Sequence, residues 1–407
     1  MRNISSFIQL EDEIGANNYS PLPVVLVKGK GSRLWDENGK EYLDFMAAYS
    51  ANNMGHAHPK LVKALTKQAK TLSLVSRAYY NDRLAGALEK LCHLSGMDKA
   101  LPMNTGAEAV ETAIKAARRW GYRVKGVAKD KAEIIVCENN FHGRTTTIVG
   151  FSSDPGTSGD YGPFTPGFKV VPFGDDKALE KAITKNTCAF IVEPIQGEAG
   201  IVMPPEGYFK KVEALCKKHN VMLIIDEIQA GMGRTGKTFC FQHEGIKPDG
   251  ITVAKALGGG LMPVSAFVAS AELMDVFDAG SHGSTWGGNP LAAAVASAAM
   301  DVLVDEKLVE KSAELGGYLM AGLKKINSPL ITDIRGRGLW IGLDVNIDLI
   351  KAKKVTLALM ENGVLTKETH AKTFRIAPPL VVTKKEIDKG LAIFEKTFRQ
   401  LEKDLNL

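Results

Sequence analysis

The sequence predicts an α/β fold built on a mainly parallel sheet with helices on both faces. Two observations carry this expectation. Apolar runs at 133–137 (EIIVC), 189–194 (AFIVEP), 221–226 (VMLIID), 251–254 (ITVA) and 265–269 (SAFVA) alternate with helical stretches beginning at Glu108 and Tyr208. Strands buried on both faces read as continuous hydrophobic runs, and their alternation with helices is the mark of crossover connections. Glu193, Asp226 and Lys255 fall at or just after the ends of such runs. In open α/β sheets ligands gather at the carboxyl ends of the strands, so these three mark the expected site.

Taken in order, residues 1–50 open with an amphipathic helical pattern (Ile4, Phe7, Ile8, Ile14) and pass into the strand-like runs VVLVKGKG and SRLWDENGKEYLDF. They are expected to form the N-terminal segment of a small domain. From Pro59, which suits a first helical turn, Leu61, Leu65, Ala69 and Leu72 keep one helical face apolar. A large domain is expected over 51–300. Within it, MNTGAEA (103–109) sets Thr105 and Gly106 just before a helix running to about Tyr122. Free amides and the helix dipole at such a terminus bind phosphate, with a plain helix cap as the competing role for Thr105. Residues 301–407 read as a smaller C-terminal unit of helix, Gly-rich turn (RGRG, 335–338), strand and helix. In its last helix, Thr383 with Glu386 makes a capping box, and Ile387, Leu391, Phe394, Phe398 and Leu401 recur at steps of four and three. No internal repeat or low-complexity linker separates these units.

The 51 basic residues are scattered among 46 acidic ones, for a formal charge of +5 over 407 residues. This excludes a nucleic-acid stripe or membrane-surface patch and leaves small anionic ligands open. Five cysteines, odd in number, widely spaced and without a CxxC, argue for reduced thiols and against a zinc site or disulfide framework. With an acidic N-terminal stretch and no apolar signal core, a cytoplasmic location is expected.

Asp226 and Lys255 stand 29 residues apart, as an acid and an amine needed at one pocket floor would. Pyridoxal phosphate chemistry requires this pair: a lysine to hold the cofactor aldehyde as a Schiff base, and a carboxylate to keep the pyridine nitrogen protonated. Gln229 lies where a side chain reaches the ring oxygen, and Gly258, Gly259 and Gly260 allow close backbone approach. A nucleotide-binding protein is the alternative from another class, since Gly231 to Thr238 (GMGRTGKT) satisfies the P-loop pattern and GxGxxG. Its context argues against it: the loop does not directly follow the strand, and Gly245 and Pro248 interrupt any helix after it.

NTGAEA, FHGRT, VEPIQGEAG, DEIQAGMGRTG, VAKALGGG and HGSTWGGNP occur in one order from NNYSPLPVVLVKGKG to FRIAPPLVV. In these motifs the chain resembles the class-III, fold-type I pyridoxal phosphate aminotransferases that act on terminal amines, and within them the ornithine aminotransferases. The resemblance implies a seven-stranded large domain and a smaller α+β domain made from both chain ends. It implies Lys255 as Schiff-base lysine and proton carrier, Asp226 on the pyridine nitrogen, Phe141 stacked on the ring and Gln229 facing the phenolic oxygen. The phosphate falls to Thr105, Gly106 and Ala107, with Ser284 and Thr285 contributing and Thr285 reaching the cofactor of a homodimeric partner. For substrates it implies Arg144 on the α-carboxylate of ornithine, Tyr19 and Tyr49 at its α-amino end, and Arg375 on the carboxylate of 2-oxoglutarate. Glu198 covers Arg375 during the amine half-reaction. Glutamate 5-semialdehyde and glutamate would be the products, a reaction of proline and arginine metabolism. His142 after Phe141, in FHGRT, is shared with acetylornithine aminotransferases, so an acetylornithine or other ω-amino-acid donor is the alternative.

Overall fold

A computed structural model describes residues 6–407. Ile4, the first residue of the expected N-terminal helix pattern, lies outside the described residues. The rest of that pattern forms the helix Ser6–Ile14, which buries none of its side chains against the subunit.

Seven strands form the central sheet: β1 (Lys99–Met103), β2 (Glu133–Cys137), β3 (Phe168–Val171), β4 (Thr187–Val192), β5 (Met222–Asp226), β6 (Gly250–Val253) and β7 (Ser265–Ala269). Their spatial order is β1-β7-β6-β5-β4-β2-β3. Pairings from β3 through β6 are parallel, and β7 runs antiparallel to both its neighbours. All five apolar runs are strands. The other two, KALPM and FKVV, lie at the sheet edges, where burial on both faces is not required and the hydrophobic signal fades. Pro102 suits the edge position of β1, since proline lacks a ladder donor.

Within β5 successive residues serve opposite faces. Met222 and Ile224 join the helix Gly106–Trp120 through Val110, Ala113 and Trp120, whereas Leu223 and Ile225 join the helix Tyr208–Lys218 through Phe209 and Val212. Each fully buried large apolar side chain contributes about 1.5–3 kcal/mol, which pins the strand register and with it the ends of β5 and β6.

Two further sheets use both ends of the chain. Leu26–Lys30, Arg33–Asp36 and Glu41–Asp44 form an antiparallel meander, and Val364–Leu365 adds to it in parallel beside Leu43 and Asp44. Ile331–Gly336, Ile341–Val345, Thr373–Ile376 and Lys367–Thr369 form an antiparallel sheet in that order. The capping box of Thr383 and Glu386 opens the helix Lys384–Asp404, with Ile387, Phe394, Phe398 and Leu401 buried as spaced. The helix from Pro59 stops at Ala69, so Leu72 lies beyond it and is 40% exposed. The position 300 expected as a boundary falls inside the helix Pro290–Asp305.

Candidate active site

Asp226 is the last residue of β5, and its register partner Thr252 lies in β6, three residues before Lys255. This register brings the acid and the amine to one cavity of about 520 Å³ at the carboxyl ends of the strands, also lined by Thr105, Gly106, Ala107, Phe141, His142 and Gln229. Lys255 itself has φ of +46°, a left-handed conformation that costs a non-glycine residue energy and recurs at functional sites. Lys255 opens the short turn Lys255–Gly258 and lines the cavity.

Asp226 is nearly fully buried and accepts three hydrogen bonds. Its Oδ1 takes Thr252 Oγ1 at 2.9 Å and the Ile228 amide at 3.0 Å, and its Oδ2 lies 2.6 Å from His142 Nδ1. Burial opposes charge on His142, but the hydrogen bond and the charge of Asp226 outweigh it, so the imidazole is held above its usual range. The role left open for His142 is thereby filled: it is a buried partner of Asp226 with Nε2 unpartnered, and more than a packing ring. Glu193 accepts the Phe141 amide at 2.9 Å and the Gly197 amide at 3.2 Å. Burial pushes its carboxyl up to about 7, with His142 pulling down and Asp226 adding to the rise. Burial likewise lowers the Lys255 amine below the ordinary lysine range against the opposing pull of Glu198 and Asp226, which enlarges the neutral, nucleophilic fraction.

At the other wall the competing cap role of Thr105 is real. Its Oγ1 accepts the Glu108 amide at 3.2 Å, and Glu108 Oε2 accepts the Thr105 amide at 2.7 Å. The box leaves the Gly106 and Ala107 amides unspent at the N-terminus of a 15-residue helix, where an anion is favoured. Gln229 is buried, and a Cβ on Gly197 would collide with its Oε1, so only glycine lets that backbone close over it.

Glu198, Arg375 and Tyr49 form a second cluster near Lys255. Arg375 Nη1 lies 2.6 Å from Glu198 Oε1, and the guanidinium sits over the Tyr49 ring at 4.6 Å. Thr369 Oγ1 donates to the Glu198 carbonyl. Burial raises the Tyr49 hydroxyl, with Arg375 opposing and Glu198 and Tyr19 reinforcing; Tyr19 itself is 73% exposed. Arg144 is exposed and is not among the cavity-lining residues, its guanidinium 5.6 Å from the Phe141 ring centroid. Ser284 and Thr285 do not line the cavity. Ser284 Oγ accepts from Asn104 Nδ2 at 2.8 Å, and Thr285 faces outward.

The P-loop match takes no part in this cavity. Arg234 within it is fully buried, and after it comes only the short turn Cys240–His243, with no helix whose N-terminus a nucleotide phosphate needs. Sequence reasoning also left Thr252 and Asn104 without roles. Both are uncharged, Thr252 outside the quoted motifs and Asn104 inside NTGAEA without a role, and only the strand register and loop packing bring them in.

Residues 14–398 match the family model for aminotransferase class-III. The chain belongs to the class-III aminotransferases. It is similar to the ornithine aminotransferase of Geobacillus sp. (strain WCH70), 53% identical over 398 residues, which is 98% of this chain and 99% of that one. Among solved structures it resembles the ornithine aminotransferase of Toxoplasma gondii, with a TM-score of 0.97 and 43% identity over 98% of this chain and 95% of that one; that structure holds pyridoxal phosphate at partial occupancy in its active site. It also resembles an acetylornithine aminotransferase from Elizabethkingia anophelis, with a TM-score of 0.89 and 48% identity over 98% of this chain and all of that one.

Class-III aminotransferases depend on pyridoxal 5′-phosphate, and the residues present fit it. Two unspent amides suit its phosphate, a buried carboxylate suits a protonated ring nitrogen, and a buried amine of lowered basicity suits its aldehyde.

Proposed function

We propose that this aminotransferase moves the terminal amino group of L-ornithine to 2-oxoglutarate, releasing glutamate 5-semialdehyde and glutamate in a ping-pong cycle. The observation that carries this reading is the Glu198–Arg375 ion pair beside Tyr49, within a chain so similar to ornithine aminotransferases. With Arg375 engaged by Glu198, a substrate carboxylate near the cofactor finds no free cation. A diamino acid must then place its carboxylate at the far end of the site, on Arg144, with Tyr19 and Tyr49 around its α-amino group. When Glu198 swings away, Arg375 is free to grip a 2-oxo acid by the opposite end.

Bound pyridoxal phosphate supplies the electron sink that stabilises the carbon deprotonated in each half-reaction. Asp226 holds the proton on the ring nitrogen, oriented by Thr252 and His142. Phe141 would cover the ring, Gln229 would face its phenolic oxygen, and Gly106 and Ala107 would hold the phosphate through their amides. Lys255 Nζ would hold the aldehyde end of the cofactor and, once freed by the incoming amine, is the buried base placed to carry the donor's proton.

In our reading the molecule is a cytoplasmic homodimer, with Thr285 and its neighbour Ser284 presenting the loop that reaches the partner's phosphate, and it serves the interconversion of ornithine with proline and arginine precursors. The free cysteines suit a reducing compartment, and no helix among the described residues is long and apolar enough to cross a membrane.

Acetylornithine is a second reading, favoured by the 48% identity to the Elizabethkingia enzyme and by the resemblance of the FHGRT motif with His142 to acetylornithine aminotransferases. Amino-donor profiling with 2-oxoglutarate decides between them. Ornithine should exceed N-acetylornithine, 4-aminobutyrate and lysine in kcat/KM, and preference for the acetylated donor rejects the assignment. Glu198→Ala should let ornithine react through its α-amine, seen as a new 2-oxo-acid product. Unchanged regiochemistry would count against the gate.

A further inference from the structure

Arg234 is a cation with no carboxylate hydrogen-bonded to it among the described residues. Its side chain is fully buried in the loop that follows Gln229, and burial depresses its basicity to about 9. Taking a guanidinium out of water is costly, and an apolar side chain of similar volume at such a position is often neutral or stabilising. Its bonding points to geometry as the return on that cost. Nη1 donates to the Leu339 carbonyl at 2.8 Å and the Pro378 carbonyl at 2.6 Å, and Nη2 donates to Asn53 Oδ1. Asn53 answers by donating Nδ2 to the Met232 carbonyl at 2.9 Å and by accepting the Leu380 amide on its own carbonyl at 2.7 Å. The Arg234 carbonyl accepts Ser312 Oγ at 2.8 Å.

Four stretches distant in the chain, around Asn53, Arg234, Leu339 and Pro378, are thus joined by one fork. Asn53 lies four residues after Tyr49, Pro378 lies three after Arg375, and Arg234 lies five after Gln229. The planar guanidinium reaches several carbonyls in fixed directions, which an ammonium on a flexible stem does not. We infer that Arg234 is a positioning residue that sets Tyr49 and Arg375, the substrate end of the site, against the cofactor floor at Gln229. The inference rests on the substrate roles proposed above for Tyr49 and Arg375. It gives the GMGRTGKT stretch a purpose that nucleotide binding does not supply.

The test is a comparison of Arg234→Lys and Arg234→Met with the milder Asn53→Ala, each as the full chain loaded with pyridoxal phosphate. Rates are referred to the cofactor content measured by absorbance, and the fold is checked by circular dichroism. In Arg234→Lys, KM for 2-oxoglutarate and for the amino donor should each rise at least tenfold. The kcat per bound cofactor should stay within threefold and cofactor affinity should be unchanged. Asn53→Ala should raise both KM values about threefold to tenfold. A merely structural role would lower cofactor content and kcat together, or leave KM untouched in the folded fraction, and either result overturns the inference. If neither Arg234 variant folds, Asn53→Ala decides alone by the same split. Failure of the substrate reading is separable, because it would appear in the unaltered protein as the wrong preferred donor.

Discussion

His142 shows how much one buried contact governs. Its Nδ1 lies 2.6 Å from Asp226, and the imidazole is fully enclosed and held above its ordinary range. A histidine whose folded value is raised contributes stability that is complete below its unfolded value, about 6.5, and is lost as pH rises through the folded value. Glu193, pushed up to about 7, acts in the same direction from lower pH, because its unfolded carboxyl already releases the proton near pH 4.3. Cofactor-free protein should therefore melt at progressively lower temperature as pH climbs from 5 toward 8. Glu227, which burial pushes up to about 8, adds a decline of the same sign over this range, so in His142→Asn the fall above pH 7 should become shallower without vanishing while the lower part persists; an unchanged slope in a buffer series would refute the pairing as a cause. Asp226 and Lys255 were legible in the sequence because chemistry needs both at strand ends. The partner of Asp226 was not: His142 stands in the FHGRT motif, but it is 84 residues away and nothing local pairs the two.

At the scale of elements, the turn Ala47–Ser50 departs furthest from its sequence. AAYS has no glycine, yet Ala47, Ala48, Tyr49 and Ser50 have φ of +46°, +46°, +58° and +70°. Left-handed helical residues cost roughly 1–2 kcal/mol each. The turn is held by Asp44 Oδ1, which accepts the Met46 amide at 2.9 Å and the Ala47 amide at 2.8 Å, and by the Asn52 amide donating to the Ala47 carbonyl at 3.0 Å. Ala48 is exposed, so Ala48→Gly relieves the backbone without removing a packed methyl. It should stabilise the protein by about 1 kcal/mol, read as a higher urea midpoint with unchanged slope. Apolar runs and capping residues revealed strands β2 and β4 to β7 and the helix from Lys384, because burial and caps are local demands. This turn was invisible in the sequence because AAYS carries neither glycine nor a turn dipeptide, and the bonds from Asp44 and Asn52 that hold it have no motif of their own.

At the scale of the whole molecule, the outward loop of Thr285 is the feature the subunit leaves unexplained. Trp286 beside it is 50% exposed, and Tyr79 and Tyr80 are exposed, an aromatic content that suits contact with a second copy. Light scattering should give twice 43.9 kDa. A hybrid dimer of one Lys255→Ala and one Thr285→Ala subunit should then recover one site of ordinary cofactor affinity, because the intact Thr285 serves the intact Lys255 across the interface. Lack of recovery would place Thr285 outside the partner's site.

The parallel pairing of Val364–Leu365 with Glu41–Asp44 also governs how the chain is made. The early meander emerges from the ribosome roughly three hundred residues before its fourth strand. At about 5–20 residues per second its Glu41–Asp44 edge stays open for tens of seconds. Nascent chains should need chaperone protection over that interval, and stop codons placed shortly before Val364 should yield insoluble product even though every residue of the cofactor cavity has already been translated.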